Sequence, residues 1–222
     1  MPVGSGANLS AATLVNAKDI EYVIDLFMGN SYDKITVVPD TGSTWLAIEG
    51  YTCTTCLGTK YDYSNDAATF NVVSATTVEK NYGSVKTKGF TATDKVCMKT
   101  GVAGSCVTGM NIFIITEQSG IASNIDGIWG MASGLKATAN SGPLLISALK
   151  TASLITNKIF AFGLKTKAGT SFLDFGAINN AAMRNASELV YIPALTDYWW
   201  AANMNGIKFG AGQNLTNAYK FN

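Results

Sequence analysis

The stretch ITVVPDTGSTWLAI, residues 35–48, restricts the possible folds of this chain more than any other. Two short apolar runs rich in β-branched residues flank the polar sequence Asp-Thr-Gly-Ser at 40–43. Such runs predict β-strands, and the Asp and Gly between them predict a tight turn. Asp40 therefore places a single carboxylate between two apolar strands. Because a charge in such surroundings costs free energy, we expect this carboxylate to have a chemical or hydrogen-bonding role.

Short strand signals separated by turn residues continue along most of the chain. The 22 glycines suit many tight turns, and 47% of the residues are hydrophobic. One helix is predicted over 141–156, with Ser141 as its cap and Pro143 in its first turn. A polar connector near residue 165 precedes a second β-rich part, in which we expect strands at 171–179, 188–195 and 198–210. The sequence therefore predicts an all-β protein with few short helices.

The composition excludes several classes of function. The chain has no His, which removes Ser-His-Asp and Cys-His catalysis and most zinc-enzyme sites. Its 16 basic and 15 acidic residues leave a net charge of +1, so no electrostatic argument favours nucleic acid or an anionic membrane as a partner. No apolar run is long enough to predict a membrane-spanning helix, and the first twenty residues lack a signal-peptide pattern.

The four cysteines fall into two pairs, Cys53-x2-Cys56 and Cys97-x8-Cys106. Two local disulfides, 53–56 and 97–106, are the simplest pairing in an oxidising compartment. A zinc site formed by all four is the alternative, although the spacing of the second pair fits it poorly. Three Asn-x-Ser/Thr sequons, which are compatible with secretion, occur at Asn8, Asn185 and Asn214.

Five segments, in this order along the chain, resemble pepsin-like aspartic endopeptidases: VVPDTGSTW, NYGSVKTKG, NIDGIWGMA, PLLISALKTASLITNKIFAFGL, and the final pair SFLDFGAIN and ELVYIPALTDYWWAANMNGIKFG. The resemblance covers nearly the whole chain. It implies a fold of two β-barrel-like lobes, of which residues 1–165 form the first and residues 166–222 contribute a connector and the opening strands of the second.

The resemblance also implies the chemistry of the Asp-Thr-Gly-Ser turn. Asp40 would be one of two carboxylates that share a proton and activate a water molecule against a peptide bond, with no metal or cofactor. Thr41 would hydrogen bond across the two lobes, and Gly42 would bring its backbone N–H to the carboxylates. Ser43 would donate its hydroxyl to the outer oxygen of Asp40.

The second segment resembles the flap, a hairpin that covers the substrate in this family. Tyr82, Gly83 and Ser84 would form its tip, and the Tyr82 hydroxyl would hydrogen bond to Trp45. Together with Ile128, these residues would line the substrate cleft. A peptide or an unfolded protein is the substrate that the resemblance implies, in a secreted, lysosomal or vacuolar setting.

The sequence departs from the family pattern in one important respect. It has no second Asp-Thr-Gly or Asp-Ser-Gly, which should follow the YWW…GIKFG region at about residue 222. Either a second chain carries the remaining lobe and its Asp, or the second Asp follows in a continuation of this chain. A third interpretation places Asn222 at the position of the second Asp, with loss of activity. Pro39, before the turn, is another departure, because it lacks a backbone N–H.

Three other functions compete with an endopeptidase. The first is an inactive binding module on the same fold, which keeps the cleft without the carboxylate pair. The second is a homodimer in which each copy supplies one Asp40, although the extra strands after residue 165 would obstruct a symmetric partner. The third is a carbohydrate-binding protein that stacks sugars on Tyr198, Trp199 and Trp200, although these aromatic residues fit cross-strand packing better.

Overall fold

The computed structural model describes residues 9–17, 20–134, 141–166, 169–196, 198–204, 206–209 and 213–215. Within these residues strands predominate, and the one α-helix, α1, is Leu145–Thr151. The strands are β1 Ala11–Ala17, β2 Glu21–Met28, β3 Asp33–Asp40, β4 Leu46–Glu49, β5 Asn71–Tyr82, β6 Val85–Cys97, β7 Cys106–Ser119, β8 Gly127–Gly130, β9 Phe160–Gly163, β10 Ser171–Phe175, β11 Ile207–Phe209 and β12 Gln213–Leu215. The predicted all-β fold of the pepsin-like class is confirmed.

Ten of these strands form one sheet in the order β5-β6-β7-β4-β8-β3-β2-β1-β10-β9. β2 also pairs with β6, with Phe27 opposite Cys97, so the sheet curls back on itself. β11 and β12 form a separate hairpin. Such closure protects backbone groups that would otherwise lie at a sheet edge.

The centre of the sheet places the Asp-Thr-Gly-Ser turn. β8 lies between β3 and β4, parallel to the first and antiparallel to the second. Every residue of β4 and β8 is buried, as expected for short central strands that are covered on both faces. The turn therefore joins two strands that are both hydrogen bonded to the same third strand, β8.

The apolar side chains pack into two clusters on the sheet. The larger one includes the buried rings of Tyr61 and Trp129 and side chains from α1. The smaller one contains Phe113, Ile121 and Ile125, with the half-buried Trp45 and Tyr82 packed against it. This second cluster forms one wall of the cleft described below.

The predicted helix is shorter than 141–156, because it begins only after Leu144. Leu144 is extended, with φ −77° and ψ 126°, so Ser141 lies too far from the helix to cap it. The N–H of Gly142 donates to Thr44 Oγ1 at 2.9 Å, and Pro143 disfavours a helical conformation at the residue before it. Residues 141–144 are thus held extended, and the prediction of a cap at Ser141 was wrong.

The strand predicted at 188–195 is absent, and among the described residues the one predicted at 198–210 is present only at Ile207–Phe209. Residues 189–196 and 198–204 are irregular apart from single hydrogen bonds. A strand needs a neighbour to pair its N–H and C=O groups, and no described strand lies beside this segment. Large apolar side chains are consequently exposed, among them Val190 at 75% and Tyr191 at 77%. We call residues 189–196 and 198–204 the exposed segment.

The main sheet continues past the predicted division at residue 165. β10 pairs with β1 and with β9, and Phe172 lies opposite both Thr13 and Gly163. The division into residues 1–165 and 166–222 stays a prediction.

Candidate active site

A cleft of about 890 Å³ is lined by the turn after β3 and by the β5–β6 hairpin. The remaining walls come from residues between 120 and 128 and from Glu21, Tyr198 and Trp199. Its volume lies in the range of small-molecule and peptide sites. Both segments that sequence analysis placed at a common site line this cleft, the turn through residues 40–45 and the hairpin tip through Tyr82 and Gly83.

Asp40 is the last residue of β3, and its half-buried side chain lines the cleft. The backbone N–H of Gly42 donates to Asp40 Oδ1 at 2.9 Å, which is the approach predicted for a glycine at this position. A Cβ added at Gly42 would lie 3.2 Å from the same oxygen. The turn therefore holds one oxygen of Asp40 through a backbone donor that a side chain would crowd.

The turn 40–45 is held in place by residues 130–132, the end of the segment that resembles the family's Asp-Gly-Ile-apolar-Gly sequence. Gly130 lies directly opposite Asp40 in the β3–β8 pairing. Three N–H groups donate from one segment to the other: Met131 to the Asp40 carbonyl at 2.7 Å, Ala132 to Ser43 at 2.9 Å and Gly130 to Trp45 at 2.9 Å. The orientation of Asp40 thus depends on the main chain of two segments that lie about ninety residues apart in sequence.

Ser43 does not donate its hydroxyl to Asp40, so that prediction was wrong. Its Oγ is buried and has no hydrogen-bond partner among the described residues. The geometry of the turn presents the backbone N–H of Gly42 to the carboxylate instead. Thr41 is exposed, and the hydrogen bond predicted for it across a second lobe stays a prediction.

Tyr82 ends β5 at the predicted hairpin, and Gly83 and Ser84 form its two-residue turn. Gly83 has φ 59°, a left-handed conformation that glycine adopts without strain. Tyr82, Gly83 and Ile128 line the cleft, whereas the exposed Ser84 is not among its lining residues. The hairpin therefore presents Tyr82 to the cleft, and its role as a flap stays a prediction.

The Tyr82 hydroxyl does not hydrogen bond to Trp45, contrary to the prediction. It is buried and has no partner among the described residues. Burial, followed by the nearby charge of Asp40, raises the pKa of Tyr82 above its ordinary value. The Trp45 ring instead contacts the Lys80 ammonium, 4.6 Å from its centroid, and the Phe113 ring at 6.3 Å.

Sequence analysis missed several residues of the cleft, among them Lys80, and did not assign Trp199 to it. Lys80 lies two residues before Tyr82 on β5, and residues at that spacing point to the same face of a strand. This alternation could have identified Lys80. Trp199 was read as a packing residue, but its ring would lie 3.8 Å from a Cβ at Gly42. Its neighbour Trp200 anchors the segment by donating from Nε1 to the Met131 carbonyl at 2.8 Å.

The structure confirms both predicted disulfides. Cys53 pairs with Cys56 in the loop after β4, and Cys97 pairs with Cys106 across the β6–β7 hairpin. None of the four cysteines is free, which excludes the zinc alternative.

The sequons differ in what the structure shows. Asn185 lies on the surface, where its side-chain oxygen accepts from the Ser187 N–H at 3.1 Å. Asn214 lies in β12, and Asn8 is outside the described residues. Glycan attachment at any of them stays a prediction.

No group of three or more His, Cys, Asp or Glu side chains among the described residues is arranged to hold a metal ion. No helix in that part of the chain has the length and hydropathy needed to cross a membrane.

Comparison with known proteins supplies a family for this geometry. The model of the eukaryotic aspartyl protease family matches residues 21–220. Syncephapepsin from Syncephalastrum racemosum is 26% identical over 197 residues, covering 87% of this chain and 48% of that protein. Aspartic protease 6 from Caenorhabditis elegans is 28% identical over 88% of this chain and 52% of its own length. Cathepsin D from Rattus norvegicus is 25% identical, with coverage of 91% and 52%.

The chain spans about half the length of the curated relatives it matches. The family match nevertheless covers most of the chain, including the cleft and the Asp-Thr-Gly-Ser turn. This chain belongs to the eukaryotic aspartyl protease family.

Proposed function

We propose that this chain is part of an aspartic endopeptidase in which Asp40 is one of two catalytic carboxylates. The observation that supports this most strongly is the position of Asp40. It lies in a cleft beneath a flap-like hairpin, with one oxygen held by the Gly42 N–H and its main chain fixed by β8. An unfolded protein or peptide with large apolar residues on both sides of the cleaved bond is the proposed substrate.

Two carboxylates about 3 Å apart cannot both ionise, as is known for aspartic proteases. In the proposed reaction the ionised carboxylate takes a proton from water while that water attacks the peptide carbonyl carbon. The protonated carboxylic acid donates its proton to the carbonyl oxygen, which gives a neutral tetrahedral diol. Transfer of a proton to the amide nitrogen then lets the carbon–nitrogen bond break, and an acid and an amine leave.

The second carboxylate is proposed to come from a second chain or from a continuation of this one. Two features support a missing companion lobe. The exposed segment carries contiguous apolar side chains that no described residue covers, and patches of this kind mark interaction surfaces. Thr41, whose proposed partner would be in that lobe, is also exposed. This proposal keeps residues 1–165 as the first lobe and residues 166–222 as the start of the second.

A secreted, lysosomal or vacuolar location is proposed on chemical grounds. Both disulfides join cysteines that are close in sequence, and disulfides persist in oxidising compartments.

Substitution of Asp40 tests the proposal directly. In the complete protein, Asp40→Asn should abolish cleavage of unfolded casein at about pH 4, because Asn can neither accept nor donate the catalytic proton. Asp33→Asn, at the opposite end of the same strand, is the matched control and should cleave at the wild-type rate. Thermal unfolding should show both variants folded.

Persistent turnover by Asp40→Asn would overturn the role of Asp40. A wild-type protein that binds peptides but never cleaves them would instead establish the inactive binding module.

A further inference from the structure

We propose that Lys80 determines specificity by binding an acidic side chain of the peptide in the cleft. This inference rests on the proposed function only in taking the cleft as a peptide site. It departs from the purely apolar preference described above, because it adds a site for one negative charge.

The position of Lys80 is the first observation. Its side chain lines the cleft from β5, on the same strand as Tyr82, yet Lys80 is only 8% exposed. Lysines are almost never buried to this degree without a partner. The amine is thus built into the wall of the cleft rather than extended into solvent.

Two aromatic rings hold the charge there. The Lys80 ammonium lies 4.6 Å from the Trp45 centroid and 5.1 Å from the Phe113 centroid. Attraction between a cation and a π-system stabilises this placement, the more so because the amine is partly desolvated. Ring contacts fix the direction of the ammonium but do not neutralise its charge.

No described carboxylate lies within ion-pair distance of Lys80. The two ion pairs of the described residues, Lys34–Asp25 and Lys88–Glu117, lie elsewhere. Burial, with no compensating anion, lowers the pKa of Lys80. An anion that enters beside such a desolvated cation lowers the free energy of the complex. Binding therefore favours a ligand whose negative charge lies beside Lys80.

Other charges in the cleft restrict the preference for a glutamate side chain to the position beside Lys80. Glu21, Asp40 and Glu79 also line it, so an acidic substrate side chain placed away from Lys80 meets repulsion. Ile121, which also lines the cleft, offers apolar surface to the methylene groups of a glutamate. We therefore expect one subsite that accepts Glu, with the remaining subsites discriminating against it.

Matched peptides test this inference. A set of peptides shares a central apolar pair and carries either Glu or its neutral isostere Gln at each flanking position in turn. Binding is measured by calorimetry to the complete Asp40→Asn protein at about pH 6, where glutamate is ionised. At one position the Glu peptide should bind about tenfold more tightly than the Gln peptide, which corresponds to about 1.4 kcal/mol.

Variants of Lys80 then test whether the preference for Glu over Gln depends on the Lys80 charge. Lys80→Met keeps the apolar stem over Trp45 and should bind the Glu and Gln peptides equally. Lys80→Arg keeps the charge and should retain a preference, which separates charge from fold. Lys86→Met, which removes an exposed lysine from the neighbouring strand, should behave like the parent protein. Equal affinities in the parent protein, no binding of either peptide, or an unchanged preference in Lys80→Met would overturn the inference.

Failure of the proposed function gives a different result. Binding to Asp40→Asn needs no turnover, so a Glu preference lost in Lys80→Met supports the role of Lys80 even if the wild-type protein cleaves nothing. Conversely, cleavage by the wild-type protein with equal rates for Glu and Gln peptides overturns the role of Lys80 and leaves the endopeptidase proposal standing.

Discussion

At the residue scale, Glu49 is an ionisable group outside the cleft whose surroundings change its titration. It is fully buried at the end of β4, where its Oε2 accepts from the Gly58 N–H at 3.3 Å and its Oε1 has no partner among the described residues. Burial, reinforced by the charge of Asp126, raises the pKa of Glu49 from 4.5 to about 7. Burial also raises the pKa of Asp126. Both groups are therefore harder to ionise in the folded protein than in the unfolded chain.

This environment predicts that stability falls between pH 4.5 and about 7. Because the folded pKa exceeds the unfolded one, the contribution of Glu49 is fully present below the unfolded value and is lost as pH rises through the folded value. The loss amounts to about 3 kcal/mol. Glu49→Gln cannot titrate, so urea unfolding at the two ends of this range should show a pH dependence smaller by about that amount.

Glu117→Gln, which alters an exposed carboxylate on the same sheet, is the control and should leave the pH dependence unchanged. A pH dependence of Glu49→Gln equal to that of the wild-type protein would contradict the assignment to Glu49.

The contacts of single site residues were predictable where backbone geometry alone determines them. The Asp-Thr-Gly sequence is enough to predict a Gly42 N–H beside the Asp40 carboxylate. The hydrogen-bond partners of the Ser43 and Tyr82 hydroxyls were not predictable, because they depend on side-chain rotamers and on which other side chains occupy the cleft. Lys80 is an example, because its ammonium contacts the Trp45 ring where a hydrogen bond from Tyr82 was predicted.

At the scale of elements, β8 controls the site through its glycines. A Cβ added at Gly130 would lie 2.4 to 2.6 Å from backbone atoms of Thr44, whereas one at Gly42 would lie 3.2 Å from the Asp40 side chain. Backbone cannot give way as a side chain can, so the same substitution has different effects at the two positions.

We predict that Gly130→Ala destabilises the fold by several kcal/mol, on the order of an overpacked core site. Gly42→Ala should keep its melting temperature within a few degrees but lose on the order of tenfold in kcat/KM, because Asp40 must shift. Thermal unfolding and casein cleavage distinguish the two variants. Wild-type stability in Gly130→Ala would show that β8 does not hold the turn as described.

Strands and helices were predictable where the local sequence pattern agrees with the partner that the fold provides. The strands on both sides of the turn and the β5–β6 hairpin follow from alternating residues and a glycine turn. The exposed segment has equally strong strand propensity but forms no strand, because no described strand pairs with it. The helix start was misplaced because the tether between Gly142 and Thr44 joins residues far apart in sequence.

At the scale of the whole molecule, local sequence patterns could not predict the order of the strands in the sheet. Composition and turn spacing indicate an all-β protein, but no local signal in the sequence places β8 between β3 and β4. The exposed segment and the match to about half of each relative support the proposed companion lobe. Proteolysis as proposed therefore requires Asp40 to work with a second carboxylate from the companion lobe.

The pH dependence of kcat/KM for the complete protein tests this claim most directly. Two coupled carboxylates, one ionised and one protonated, predict a bell-shaped profile with both limbs below pH 7. The profile should be the same in Glu49→Gln, which shows that the upper limb is not unfolding. A profile with a single limb, or activity that persists undiminished through neutral pH, would contradict a carboxylate pair.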